Sequence, residues 1–215
     1  MRRPNPCPRV ALVEGKDEQF TLSEVLEANG LTWPSKVPPV WLEQADGVDQ
    51  LLTPGLIEAE WKASGLEALG IIVDADNDRD ARWQKVRSRL LPLASDVPEE
   101  LCPEGLILEA AGRPRLGCWV MPDNVSQGML ETLLLSIRSG DPALHALAAA
   151  SVNEAKSKGA PYKASHQDKA HVHTWLAWQD PPGQQLHLAV KTHALDATRE
   201  QLRPFVAWFR RLFGV

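Results

Sequence analysis

The sequence predicts an α/β protein with a mostly parallel sheet flanked by helices. Two short apolar runs, residues 10–13 and 69–73, have the composition of buried strands, and each precedes a segment with apolar residues at helical spacing. This alternation is typical of βαβ units in a doubly wound sheet. The 44% hydrophobic and 24% charged content is that of a globular chain, and it excludes a chain that is disordered over its whole length.

The first hundred residues alternate between strands and helices. The strand 10–13 ends at Glu14, and Gly15 permits a sharp turn into a helix that Gly30 stops. Pro38 and Pro39 lack an amide donor, so they shorten the second strand or confine it to a sheet edge. In order, the predicted elements are strand 10–13, helix 17–29, strand 37–42, a mostly helical 51–69 interrupted at Pro54 and Gly55, strand 69–73 and helix 81–93.

The second half is predicted to add a hairpin and then a helical region. The runs 106–109 and 116–121 flank a turn at Gly112-Arg113-Pro114, which indicates an antiparallel hairpin that extends the sheet. Trp175, Trp178 and Trp208 have helix-compatible spacing typical of core packing. The later helices are predicted at 129–137, 142–156, 168–178 and 199–213. We expect one domain over 1–215, with a core at about 8–125 and a helical extension at about 126–215.

Composition excludes several classes of protein. No apolar run approaches the ~20 residues that span a bilayer, and the N-terminal segment lacks the apolar centre of a signal peptide, which predicts a cytoplasmic protein. The three cysteines of the chain have no CxxC spacing, which argues against a disulfide framework and a structural zinc. The net charge is −5, with an acidic first half and a basic C-terminal part. Nucleic-acid binding would therefore need metal ions in the acidic part and basic residues facing the phosphates.

The segment LVEGKDE contains the first candidate site. Glu14 stands at the carboxyl end of a predicted strand, where ligands bind in open parallel sheets. Glu18 lies one turn further along the helix. Asp17 and Glu18 are equally typical of first-turn carboxylates that interact with the helix dipole, so that alternative stays open for them.

The segment GIIVDADNDRD contains the second candidate site. Asp74 and Asp76 follow a buried strand, and carboxylates at this spacing suit a hard divalent cation such as Mg²⁺. A calcium loop is excluded because its sixth position would be Arg79 where glycine is required. A solvated acidic turn that caps the next helix remains the alternative, above all for Asp78 and Asp80.

The two segments together predict a shared site. If the strands before Glu14 and Asp74 are neighbours, Glu14, Asp74 and Asp76 converge at one edge of the sheet. Carboxylates ~5 Å apart repel by roughly 3 kcal/mol per pair at an effective dielectric near 20. A bound cation or raised pKa values would compensate that repulsion.

The motifs resemble the Toprim domain of topoisomerases, primases and OLD-type nucleases. Glu-Gly after the first strand and Asp-Ala-Asp after an apolar strand carry the resemblance over about residues 10–80, and the runs GCWVMPDN, GMLE and KAHVHTWLAWQDPPG resemble small stand-alone Toprim-related proteins. The resemblance implies a Rossmann-like sheet and one or two Mg²⁺ ions acting on phosphodiesters. It implies that Glu14 is the general acid/base or a ligand, that Asp74 and Asp76 are ligands, and that Glu18 and Glu131 are further ligands.

The expected function is Mg²⁺- or Mn²⁺-dependent phosphodiester chemistry on DNA or RNA, with nuclease activity as the leading expectation. Lys169 is a candidate catalytic residue because a cation offsets charge on a transferring phosphate, although a solvated helix lysine is the alternative. A noncatalytic nucleic-acid-associated module and a small-nucleotide phosphohydrolase remain open. The chain lacks a P-loop, a primase zinc module and a Ser-x-Glu motif at Glu131. The sequence leaves a homo-oligomer or an ATPase partner open, and it predicts no membrane contact.

Overall fold

A computed structural model describes residues 3–4, 6–34 and 37–215. They contain one five-stranded sheet whose strands in chain order are β1 (Arg9–Val13), β2 (Trp41–Gln44), β3 (Ala68–Asp74), β4 (Leu106–Leu108) and β5 (Arg115–Met121). The strand order is β2-β1-β3-β5-β4; β2, β1, β3 and β5 run parallel, and β4 pairs antiparallel with β5 at one edge. The predicted α/β class with its added hairpin is confirmed.

Helices cover both faces of this sheet. They are α1 (Lys16–Ala28), α2 (Val48–Leu51), α3 (Leu56–Trp61), α4 (Arg79–Leu90), α5 (Leu130–Ser136), α6 (Pro142–Ser157), α7 (Gln167–Leu176), α8 (Leu186–Lys191) and α9 (Arg203–Phe213). Because neighbouring residues of a strand point to opposite faces, Ala11 packs with α1 and the C-terminal helices whereas Leu12 packs with α2, α3 and α4. The described part of the chain is therefore a three-layer arrangement, and within it no helix is long and apolar enough to cross a membrane.

Two glycines let α9 approach the centre of the sheet. Gly70 on β3 and Gly117 on β5 are paired in the sheet register. A Cβ at Gly70 would lie 2.7 Å from Phe213 Cζ, and a Cβ at Gly117 would overlap Leu212. The end of α9 therefore packs on bare backbone at the middle of the sheet.

We expect Gly117→Ala to lower the free energy of unfolding by about 1–3 kcal/mol, because overpacking a filled core forces side chains and backbone to shift. Urea denaturation measures this effect. The double variant Gly117→Ala/Leu212→Ala is the control, since removing the Leu212 branch makes room for the new methyl group. A double variant as unstable as the sum of both single variants would contradict the steric explanation.

Several element boundaries differ from the sequence predictions. The second strand begins at Trp41 and was predicted at 37–42; Pro38 and Pro39 precede it, and it lies at the sheet edge. The predicted helical segment 51–69 contains the last residue of α2 and the whole of α3. The rest of the segment is not helical, because glycine and proline interrupt it. The predicted helix 81–93 is α4, which begins at Arg79 and ends at Leu90.

The C-terminal region shows two further corrections. The predicted helix 199–213 begins with a 3-10 turn, Glu200–Leu202, before α9. α8 was missed, because its six residues are too few to show a helical period. Trp175 and Trp208 are buried as predicted, but Trp178 is 41% exposed. Trp178 lies beyond the Ala177 cap of α7, where helical spacing no longer applies.

Candidate functional site

The carboxyl ends of β1 and β3 bring two predicted residues together. Glu14 directly follows β1, Asp74 is the last residue of β3, and the two strands are paired neighbours. Glu14 Oε1 accepts a hydrogen bond of 2.7 Å from the Asp74 backbone N–H. The predicted convergence at one edge of the sheet is thus present in the structure.

A cleft of about 610 Å³ opens at this edge. Its polar lining comes from the ends of β1, β2 and β3 and from α1, α5 and α7. The residues that line it include the predicted set Glu14, Glu18, Asp74, Asp76, Glu131 and Lys169, together with Lys16, Asp17, Gln44, Asp46 and His166. Sequence segments more than a hundred residues apart therefore contribute to a single cleft.

Glu14, Asp74 and Asp76 share one geometric feature: a nitrogen donor fixes one oxygen of each carboxylate. Glu14 Oε1 accepts from the Asp74 N–H, Asp74 Oδ1 accepts from the Leu130 N–H at 2.9 Å, and Asp76 Oδ2 accepts from the Arg82 guanidinium. Among the described residues, the second oxygen of each carboxylate has no hydrogen-bond partner. The fold therefore orients each carboxylate and leaves one oxygen of each available.

A two-bond bridge holds the turn after β3. The Asp76 N–H donates to the Gly128 carbonyl and the Gly128 N–H donates to the Asp76 carbonyl, both at 2.8 Å. Asp76 has a φ of 53°, a left-handed conformation that aspartate tolerates better than most residues. The bridge ties this turn to the segment that leads into α5, which supplies the Leu130 N–H and Glu131.

Glu131 and Lys169 form an ion pair that also lines the cleft. The Glu131 side chain is 2% exposed, and its Oε1 lies 2.9 Å from Lys169 Nζ, although the pair is not aligned as a hydrogen bond. Lys169 Nζ also lies 3.6 Å from Asp17 Oδ2. The Lys169 side chain is 41% exposed and lines the cleft, so Lys169 pairs with the buried Glu131 carboxylate and still reaches the cleft.

Burial dominates the electrostatics of the carboxylates. It raises the pKa of Glu14 to about 7, against the lowering effect of the Asp74 N–H and the Arg82 charge. Burial likewise raises the pKa of Asp74 well above its ordinary value, and the charges of Glu14 and Glu18 add to that effect. The sequence argument assigned such shifts to repulsion; repulsion contributes, but desolvation comes first.

Lys169 and Glu18 also have raised pKa values. For Glu18, burial is the main cause, and the charge of Glu131 acts in the same direction. For Lys169, burial lowers the pKa, but the neighbouring carboxylates, above all Glu131, outweigh burial and raise it overall. Lys169 is thus held as a cation by the acidic cleft.

The rest of the acidic turn has a structural role. Asp78 caps α4 by accepting a 2.9 Å hydrogen bond from the Ala81 N–H. Asp80 is exposed and pairs with Arg79. Neither residue lines the cleft with Asp74, which agrees with the helix-start alternative for this pair.

Sequence reasoning missed Gln44, Asp46 and Arg82. Gln44 ends β2 and Asp46 follows it, at the same carboxyl edge as Glu14. Correct placement of the second strand would have predicted them by the strand-end rule. Arg82 carries no such signal, since it is one of several basic residues on α4.

The donor chemistry of the cleft fits a hard divalent cation. Carboxylate oxygens are the preferred ligands of Mg²⁺, and each of Glu14, Asp74 and Asp76 has one oxygen without a hydrogen-bond partner among the described residues. Glu131 adds a further buried carboxylate, whose Oε1 is paired with Lys169 Nζ at 2.9 Å. Over 3–4, 6–34 and 37–215, no three His, Cys, Asp or Glu side chains are already grouped as a set that could hold a metal ion.

Comparisons with known proteins give one family match and two structural similarities. A family model described as "Protein of unknown function (DUF3226)" matches residues 8–214. The C-terminal region of the Burkholderia pseudomallei OLD protein is similar at 13% identity and a TM-score of 0.49, over 96% of this chain and 98% of that one. The C-terminal region of the Xanthomonas campestris pv. campestris OLD protein is similar at 14% identity and a TM-score of 0.42, over 95% of each chain. None of the curated proteins matches the chain.

Proposed function

Because this chain belongs to the DUF3226 family, for which no function is described, we propose its function from the cleft: metal-dependent cleavage of phosphodiester bonds in nucleic acid. The observation that carries the proposal is the set of oriented carboxylates at the carboxyl edge of the sheet, faced by a lysine. Buried carboxylates with raised pKa values are costly to stability, which makes them candidates for function. The Toprim-like motifs of the sequence support the same chemistry.

Glu14, Glu18, Asp74, Asp76 and Glu131 would hold the cation, Mg²⁺ or Mn²⁺. A divalent cation supplies polarisation of a phosphoryl oxygen and a water of lowered pKa. The remaining chemistry belongs to side chains of the chain itself. Lys169 offsets negative charge that develops on the phosphate, because its ammonium group reaches the cleft. Glu14 is alternatively the general acid or base, because its pKa of about 7 without a bound cation suits proton exchange near neutral pH.

The size of the cleft favours one alternative. A volume of about 610 Å³ falls within the roughly 300–1,000 Å³ of small-ligand sites. A mononucleotide phosphate would fit, so a small-nucleotide phosphohydrolase is the second candidate. The two candidates share the metal and the carboxylates and differ only in the substrate.

A substrate panel tests the proposal. Purified protein is incubated with single- and double-stranded DNA, RNA, nucleotides and bis(p-nitrophenyl) phosphate, with Mg²⁺, with Mn²⁺ or with a chelator. We expect metal-dependent cleavage of a nucleic acid, lost in Glu14→Gln and retained in Glu58→Gln, an exposed carboxylate on α3. Turnover of nucleotides alone would favour the phosphohydrolase. No turnover on any substrate would favour a noncatalytic module.

A further inference from the structure

Arg82 is a buried cation that neither the sequence motifs nor the proposed mechanism uses. It lies on α4 with its side chain 9% exposed, and its guanidinium forms an ion pair with Asp76. Its Nε is buried and has no hydrogen-bond partner among the described residues. A buried guanidinium costs desolvation energy that a single ion pair rarely repays, so stability alone explains this residue poorly.

The three oriented carboxylates show what Arg82 does. Glu14 and Asp74 each receive a backbone N–H at one oxygen. The Asp76 carboxylate receives the Arg82 guanidinium at Oδ2 instead, and Oδ1 has no partner in the described chain. Arg82 thus supplies from a side chain the contact that the backbone supplies to the other two carboxylates.

We infer that Arg82 is the positioning residue for Asp76, fixing Oδ2 so that Oδ1 is available to a divalent cation. The inference rests on the proposed function, since it assigns Arg82 a role toward the same cation. The two hydrogen bonds to Gly128 already fix the backbone of Asp76, so only the orientation of its side chain remains to be fixed. A planar guanidinium restrains a carboxylate more tightly than a flexible ammonium group would.

Lys85 is a matched control on the same helix. It lines the small cleft beside Asp76 that Arg82 also lines, and it is exposed. No ion pair joins it to Asp76 within the described ranges. Lys85→Met therefore removes the same charge from the same neighbourhood without removing the contact to Asp76.

The test is the affinity for Mn²⁺, measured by isothermal titration calorimetry with Mn²⁺ alone. The proteins compared are wild type, Arg82→Met, Arg82→Gln and Lys85→Met. The side chain at position 82 is uncharged in both variants. Either variant is sufficient for the test once circular dichroism shows that it is folded. We expect Kd for Mn²⁺ to rise about 10- to 100-fold in the Arg82 variants, as for other residues that orient metal ligands, and less than about 2-fold in Lys85→Met. Thermal melts without metal measure any purely structural effect separately.

Three results would overturn the inference. If wild type binds Mn²⁺ and a folded Arg82 variant binds it equally or more tightly, Arg82 does not position a ligand, while the proposed function stands. If wild type itself binds no Mn²⁺, the proposed function fails and the role of Arg82 fails with it. An equal loss of affinity in Lys85→Met would assign the effect to general charge and would also refute the positioning role.

Discussion

Replacing Lys169 with methionine is expected to destabilise the protein and to remove most of its metal-dependent turnover. Breaking a buried pair costs about 3–5 kcal/mol because one charge is left without a partner; since Lys169 is 41% exposed, water offsets part of this cost and we expect about 1–3 kcal/mol. Losing the Lys169 ammonium group, which stabilises negative charge in the transition state, should lower turnover ~100- to 1,000-fold. Urea denaturation and initial rates on the substrate identified by the panel measure the two effects.

Two controls separate the charge of Lys169 from its packing. Lys158→Met removes a lysine that pairs with Glu154 in solvent, where both side chains are more than half exposed, so a change below about 0.5 kcal/mol is expected. Glu131→Gln/Lys169→Met removes the charge that Lys169→Met leaves unpaired, and it should recover much of the lost stability without recovering turnover. If Lys169→Met is as stable and active as wild type, the ion pair has neither role.

The convergence of Glu14 and Asp74 could be predicted from sequence because it depends on a general rule. Each follows an apolar run typical of a buried strand, and parallel neighbouring strands end at the same sheet edge. The same rule missed Gln44 and Asp46, since the strand was predicted at 37–42 and thus ended two residues before the observed end at Gln44. Once a strand boundary is wrong, the residues at its carboxyl end are no longer recognisable as part of the edge.

The contacts that orient the site could not be predicted in the same way. The Leu130 N–H that binds Asp74 belongs to the start of α5, and its position depends on the bridge between Asp76 and Gly128. The pairing of Arg82 with Asp76 depends on how α4 packs on the sheet. These contacts result from tertiary packing, and local periodicity carries no information about them.

The second large effect is expected for Asp74→Asn. Asparagine keeps an oxygen for the Leu130 N–H but removes a charge that is buried at one of the proposed cation ligands. Metal-dependent turnover should fall ~1,000-fold, because a bound cation contributes several kcal/mol of transition-state stabilisation and each ~1.4 kcal/mol is a factor of ten. Without metal, the variant should be more stable than wild type at pH 8.

The pH dependence gives the sign of this stability change. Glu14 has an ordinary pKa of 4.5 that rises to about 7 in the folded protein, and the pKa of Asp74 is raised as well. The folded state therefore binds more protons than the unfolded state, and stability falls as pH rises from about 4.5 through about 7. Asp74→Asn removes the part of this pH-dependent loss of stability that Asp74 causes. Its melting temperature should therefore exceed that of wild type at pH 8 and approach it as pH falls below 3.8, the ordinary pKa of Asp74.

Divalent cations should reverse the order of the two proteins at pH 8. At a free concentration of one hundred times Kd, a cation that binds only the folded state adds about 2.7 kcal/mol, which is about 5–11 °C in melting temperature. Wild type should gain this at pH 8 and less at pH 5, where protons compete for the same oxygens, and Asp74→Asn should gain little at either pH. Asp80→Asn removes an exposed charge from the same turn and should respond like wild type. Equal metal shifts in wild type and Asp74→Asn would place the cation outside the cleft, and the acidic turn would then be only a solvated start of α4.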